Sequence, residues 1–185
     1  MPARPPASDT SSDVLFRLKT CHVRSWETSD VDALVRHADN YNVWINLRDA
    51  FPHPYTRHHA REFIRSVRQR TPETTFAIAV EGEAVGSIGF VLHPDVERVS
   101  AEIGYWLAEP FWGRGITAEA LAAVTTHAID VHHLTRVYAL PFAWNARSCR
   151  VLEKAGYVLE ARLRRSAIKN GEITDQLQYA FIAGD

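Results

Sequence analysis

Apolar positions along this chain follow two periods: near-alternation over short runs, and recurrence every three to four residues over longer ones. Val14 to Trp26 alternates loosely and reads as a strand. Thr28, Ser29 and Asp30 then offer caps for a helix reaching about His37, and a second helical piece covers Tyr41 to Leu47. Phe51-Pro52-His53-Pro54-Tyr55 cannot be helical, because each proline lacks an N–H and pushes its predecessor to extended geometry. Thr56 caps a helix from Arg57 to about Arg70, in which Ala60, Phe63, Ile64 and Val67 form a narrow apolar stripe.

Strands return over Thr75 to Val80 and Ala84 to Leu92, joined at Glu81-Gly82-Glu83 as a hairpin, with a third from Val99 to Leu107. The helix Ile116 to about Ile129 leads to the apolar strand Thr135 to Leu140, a strand-helix-strand step that predicts a parallel pairing. A helix over Asn145 to Ala155 stops at Gly156, and two last strands, Tyr157 to Ser166 and Ile173 to Ile182, flank the hairpin signal Asn170-Gly171. The sum is a mixed α/β sheet with antiparallel ends and no internal repeat.

Composition narrows the setting. Met1 to Asp13 is rich in Pro, Ala and Ser and lacks an apolar signal core, so residues 1–13 are expected to be a flexible tail and 14–185 one domain. No apolar run reaches the ~18 residues of a spanning helix, so no membrane role is expected. Twenty-one Lys and Arg balance 22 Asp and Glu without a basic stripe, which argues against nucleic acid as a partner. Cys21 and Cys149 lie far apart and outside any C-x-x-C pair, as in a reduced cytoplasmic setting.

The chemistry concentrates at Trp112-Gly113-Arg114-Gly115-Ile116-Thr117-Ala118, where a glycine turn runs into a helix directly after a strand. Such a helix start presents unpaired N–H groups and the positive end of the helix dipole, which suits phosphate. A dinucleotide fingerprint is one alternative, but it needs an acidic residue closing the next strand, and here that strand runs into Pro141-Phe142-Ala143. A tight turn without any ligand is another.

Three motifs in order add to the turn: Glu102-Ile103-Gly104-Tyr105-Trp106-Leu107, then Phe111 through Ala120, then Asn145-x-x-Ser148 with Leu152-Glu153-Lys154-Ala155-Gly156-Tyr157. Together they resemble the GNAT N-acetyltransferases, most closely the ribosomal-protein N-terminal acetyltransferase branch, over nearly everything after the tail. The resemblance implies a single-domain α/β (α+β) GNAT-like fold: a mixed, mostly antiparallel sheet of about seven strands with a central splay, and helices on both faces. It implies acetyl-CoA as co-substrate, held by Trp106, Leu107, Ala108, Trp112, Gly113, Arg114, Gly115, Ile116, Thr117, Asn145 and Ser148. The pantetheine arm would lie in the splay like an added strand, with a backbone N–H near Leu107 or Ala108 facing the thioester carbonyl.

Departures from the family pattern are specific. Trp112 stands where Gln or Arg is usual, and Thr117 where Gly or Ala is usual. Backbone N–H groups do most of the holding at such a turn, so neither change removes it. Many relatives protonate the departing thiolate with a Tyr seven residues beyond the motif's Asn; this chain has Leu152 there. Ser148 resembles the serine that the ribosomal-protein branch places near the sulfur, although it and Asn145 also suit helix capping. Glu102 is the candidate base, against the alternative of an ion-paired surface carboxylate, with Asp95, Glu97 and the histidines left open.

The expected activity is direct transfer of an acetyl group to a primary amine, either a protein N-terminus or a small molecule, approaching over Trp44, Arg48, Phe51 and Tyr55. Trp44 and Phe51 read equally well as core aromatics. A non-catalytic acyl-CoA sensor or interaction module is the alternative. His53, His58 and His59, and His127, His132 and His133, lack a Cys or carboxylate at ligand spacing, so no metal is expected. A homodimer is the default assembly.

Overall fold

The computed structural model describes residues 14–184. The tail expected over 1–13 lies outside the described residues. Eight strands form one sheet in the order β1-β2-β3-β4-β5-β6-β8-β7. They are β1 (Val14–Arg17), β2 (His22–Arg24), β3 (Thr75–Val80), β4 (Glu83–Leu92), β5 (Ser100–Leu107), β6 (Arg136–Ala139), β7 (Val158–Lys169) and β8 (Glu172–Ile182). Helices α1 (Val31–Ala38), α2 (Tyr41–Trp44), α3 (Arg57–Arg68), α4 (Ile116–His132) and α5 (Ala146–Lys154) complete it.

The count exceeds the expected seven because Val14 to Trp26 is a hairpin rather than one strand. Leu18 N–H donates to the Cys21 carbonyl at 2.9 Å, and the Glu119 carboxylate of α4 accepts from Lys19 N–H at 2.8 Å and Thr20 N–H at 3.0 Å. A partner 99 residues away thus fixes the turn. Where local chemistry alone decides, expectation and structure agree. Glu81 and Gly82 have φ of 52° and 87°, and Asn170 and Gly171 50° and 80°, the paired left-handed residues of tight hairpin turns.

Every pairing is antiparallel except β5 with β6, which is parallel as the strand-helix-strand step predicts. Alternation then sorts β5 between two cores. Ala101, Ile103 and Leu107 face α4 and α5 with Leu121, Val124 and Leu152, whereas Trp106 faces α1 and α3 with Leu34, Ile64 and Val67. A buried ion pair ties the second layer to the sheet: Arg24 of β2 donates to both Asp30 oxygens, at 2.8 and 2.7 Å, and each residue is only 6% exposed.

Candidate active site

The parallel contact of β5 with β6 lasts three residues, from Ser100 opposite Arg136 to Glu102 opposite Tyr138, and then the strands part. Across the other edge, Ala108 N–H donates to the Val85 carbonyl at 2.8 Å, which sets the phase of the ladder. In an antiparallel ladder bonded and non-bonded pairs alternate, so Trp106 and Ala108 address β4 while Tyr105 and Leu107 turn their N–H groups toward the gap. Of the two expected oxyanion donors, Leu107 is therefore the one available; the Ala108 N–H is already committed. The Leu107 carbonyl accepts from the Trp112 indole at 2.7 Å. Trp112 so braces the end of β5.

Beyond Trp112 the chain turns through Gly113 and Gly115, with φ of 78° and 81°, into α4. From Gly113 to Ala118 no backbone N–H has an acceptor among the described residues; the first helical bond is Glu119 N–H to the Gly115 carbonyl at 3.1 Å. A Cβ built on either glycine meets nothing within 4 Å. Six consecutive free donors beside open space, at the positive end of a 17-residue helix, form a receptor for a polyanion. The donor set therefore fits a coenzyme diphosphate.

α5 starts on the opposite bank of the gap. Asn145 caps it, its side-chain oxygen accepting from Ser148 N–H at 3.1 Å. The Ser148 hydroxyl lies 2.9 Å from that of Tyr105. Burial pushes the Tyr105 phenol well above its ordinary range and keeps it neutral. Tyr105 lies in the first of the three motifs, and its odd place in β5, shared with Ile103 and Leu107, is the sequence signal that it faces the gap and α5. Leu152, where relatives carry an acid, is fully buried.

Glu102 lies on the other face of β5, paired with Arg48 of the loop after α2. The candidate base and a candidate acceptor residue are thus joined in one ion pair. Beside them the Tyr138 hydroxyl is 2.9 Å from His93 Nε2, with the two rings stacked. Burial, and then the Glu102 charge, raise the Tyr138 phenol pKa. Phe51 packs edge-on against Trp106 at 5.7 Å, half-buried. Tyr55 is buried behind it, and burial pushes its phenol up to about 12. Trp44 stacks on His53 and receives the Lys169 ammonium 3.8 Å from its ring centroid. Lys169, 1% exposed and bonded to Asp49 at 2.8 Å, ties the β7-β8 hairpin to this wall. No local signal marks Lys169, because Asp49 lies 120 residues away in the chain.

One groove of about 1800 Å³ joins these parts, from the Gly113 turn past Ser148 and Tyr105 to Glu102, Arg48, Phe51 and Lys169. Glu109 closes its rim by accepting from Asn40 at 2.9 Å and Asn42 at 3.0 Å. Trp144 reaches across to Asn46 at 3.1 Å.

Residues 21–158 match the model of the acetyltransferase (GNAT) domain family. Among curated relatives, a ribosomal-protein-serine acetyltransferase of Escherichia coli (strain K12) is 33% identical over 116 residues, covering 63% of this chain and 64% of that protein. An uncharacterised N-acetyltransferase of Bacillus subtilis (strain 168), YoaA, is 32% identical over 100 residues, covering 54% of this chain and 56% of its own length. The chain thus spans between half and two thirds of these relatives. A RimL ribosomal L7/L12 alpha-N-protein acetyltransferase in complex with coenzyme A shares the fold at a TM-score of 0.81 and 24% identity, over 92% of this chain and 98% of that one. Mycobacterium smegmatis RimJ in complex with CoA-disulfide aligns at 0.78 and 26% identity, over 88% and 82%.

Proposed function

The chain belongs to the GNAT acetyltransferase family, and from that premise we propose that it transfers an acetyl group from acetyl-CoA directly to a primary amine. The run of free N–H groups from Gly113 to Ala118 carries the reading, because it sits in the same groove as Leu107, Ser148 and Glu102. When bound, acetyl-CoA supplies the activated acyl group as a thioester.

The residues divide the remaining work between the two faces of β5. The turn holds the diphosphate through backbone donors. Leu107 N–H faces the thioester carbonyl, where one oriented donor contributes about 3 kcal/mol in comparable oxyanion holes. Tyr105 donates to the Ser148 oxygen, which turns the serine proton into the groove toward the departing sulfur. On the opposite face the amine approaches over Phe51 and Trp44. Glu102 accepts its proton directly or through water, once Arg48 yields the carboxylate.

Release of free thiol from acetyl-CoA, measured with mixed peptides, polyamines and aminoglycosides as acceptors, tests this. At least one amine class should accelerate release over the rate without amine. A non-catalytic acyl-CoA sensor is the second reading, and two observations favour it: Leu152 replaces the usual acid, and Glu102 is engaged by Arg48. Tight coenzyme binding with no release across the whole panel would decide for the sensor.

A further inference from the structure

Three glycines interrupt the paired strands β4 and β5, and packing explains two of them. A Cβ on Gly86 would run into the Trp106 carbonyl oxygen, and one on Gly89 would stand 2.7 Å from the Thr74 carbonyl oxygen. Gly104 of β5 has no such reason. A Cβ there would meet nothing within 4 Å, and its φ is not in the left-handed region. Glycine weakens the interior of a strand, and one that neither packing nor φ requires marks a place where another molecule comes close to the backbone.

The position of Gly104 says which molecule. Glu102, Gly104 and Trp106 alternate onto one face of β5 and all line the groove. Gly104 lies two residues past Glu102, the last residue of β5 paired with β6, and so sits where the sheet has opened; although β5 is a central strand, Gly104 is exposed. The Cα atoms of Glu102 and Trp106 stand about 13 Å apart in an extended strand, and the one position between them on this face carries no side chain. The result is a hollow one side chain wide. The Glu102 carboxylate bounds one end, and Trp106, with Phe51 edge-on at 5.7 Å, bounds the other.

Resting on the acetyl transfer proposed above, we infer that Gly104 sets acceptor selectivity: the hollow receives a small substituent on the amine-bearing carbon. Attack brings the amine nitrogen to the thioester beside Leu107 N–H while its proton goes to Glu102, so the carbon that bears the amine lies over the strand between them. The favoured acceptor is then an amine on a substituted carbon, not one on a terminal methylene as in a polyamine.

A methyl exchanged between enzyme and acceptor tests this. Initial rates are measured with glycinamide and alaninamide, free and as the first residue of otherwise identical peptides, and with spermidine. The wild type should favour the alanyl member of each pair about tenfold in kcat/KM, the lower end for one methyl in a fitted pocket. In Gly104→Ala the new Cβ fills that space, so the ratio should fall to one or below while the glycyl member keeps its rate within about threefold. Calorimetric affinity for coenzyme A, which lies along the other face of β5, should be unchanged and also shows that the variant is folded. A wild type that prefers spermidine, that favours the glycyl member, or that turns over other amines but neither member of the pair overturns the assignment and leaves acetyl transfer intact. A ratio that survives Gly104→Ala does the same. Coenzyme binding without turnover of any amine overturns acetyl transfer and the selectivity with it.

Discussion

The hydroxyls of Tyr105 and Ser148, 2.9 Å apart on the wall of the groove, should behave as one unit if the phenol orients the serine proton. Ser148→Ala should then lower kcat about tenfold with the KM for acetyl-CoA little changed, the scale of one neutral hydrogen bond made in the transition state. Tyr105→Phe should cost about threefold, and the double variant should be no slower than Ser148→Ala alone, because the phenol has nothing left to orient. Steady-state kinetics with acetyl-CoA varied decide it; multiplied losses would sink the coupling. Asn-x-x-Ser points to Ser148 as a candidate, whereas nothing local points to its contact with Tyr105, which lies 43 positions away. Glu102 and Arg48 were each readable and their pairing was not, for the loop after α2 has no local signal saying where it folds back.

At the scale of elements, periodicity and turn chemistry place the five α-helices, and every strand after the first hairpin, to within about three residues, because those depend on near neighbours. The exceptions are long-range. Glu119 holds the turn at residues 18–21 by accepting from Lys19 and Thr20 N–H, and the turn before α1, capped locally by Asp30 on Glu27 N–H, is tied to the sheet by Arg24 reaching from β2. That buried pair sets a stability prediction. Arg24→Met would leave the Asp30 carboxylate in the interior with only the Glu27 N–H at 2.9 Å, a loss of about 3 kcal/mol. Arg24→Met/Asp30→Leu should recover much of it, since the uncompensated charge is gone. Denaturant melts of the three proteins measure both steps, and a double variant no more stable than the single would mean the pair itself, rather than the stranded charge, carries the energy.

The whole molecule is a sheet with a core on each face, and two consequences follow at that scale. His127 packs edge-on to Phe16 and Phe76, and His132 to Phe90. Burial lowers the pKa of each below the ordinary 6.5, helped at His127 by the charge of His132 and at His132 by that of His133. Because the folded state disfavours their protonation, their contribution is complete above pH 6.5 and falls as pH drops through 6.5 toward the folded values. Melting temperature should decline across that window, and His127→Gln/His132→Gln should flatten the decline. The second consequence concerns the order of chemical events. A groove of about 1800 Å³ exceeds the few hundred to roughly 1,000 Å³ of a single small-molecule site, and it holds Tyr105 and Ser148 on one face of β5 with Glu102 on the other. Two substrates can therefore meet in it. No cysteine lines it; Cys149 points into the core, and burial pushes the Cys21 thiol up to about 11, far from a ready nucleophile. Ser148 has a phenol rather than a base beside it, so it too lacks activation for acyl transfer. Initial velocities measured over a grid of acetyl-CoA and amine concentrations should give intersecting lines, with no exchange of acetyl between labelled coenzyme and acetyl-CoA when amine is omitted. Parallel lines, or exchange without amine, would require an acetylated residue that this groove does not offer.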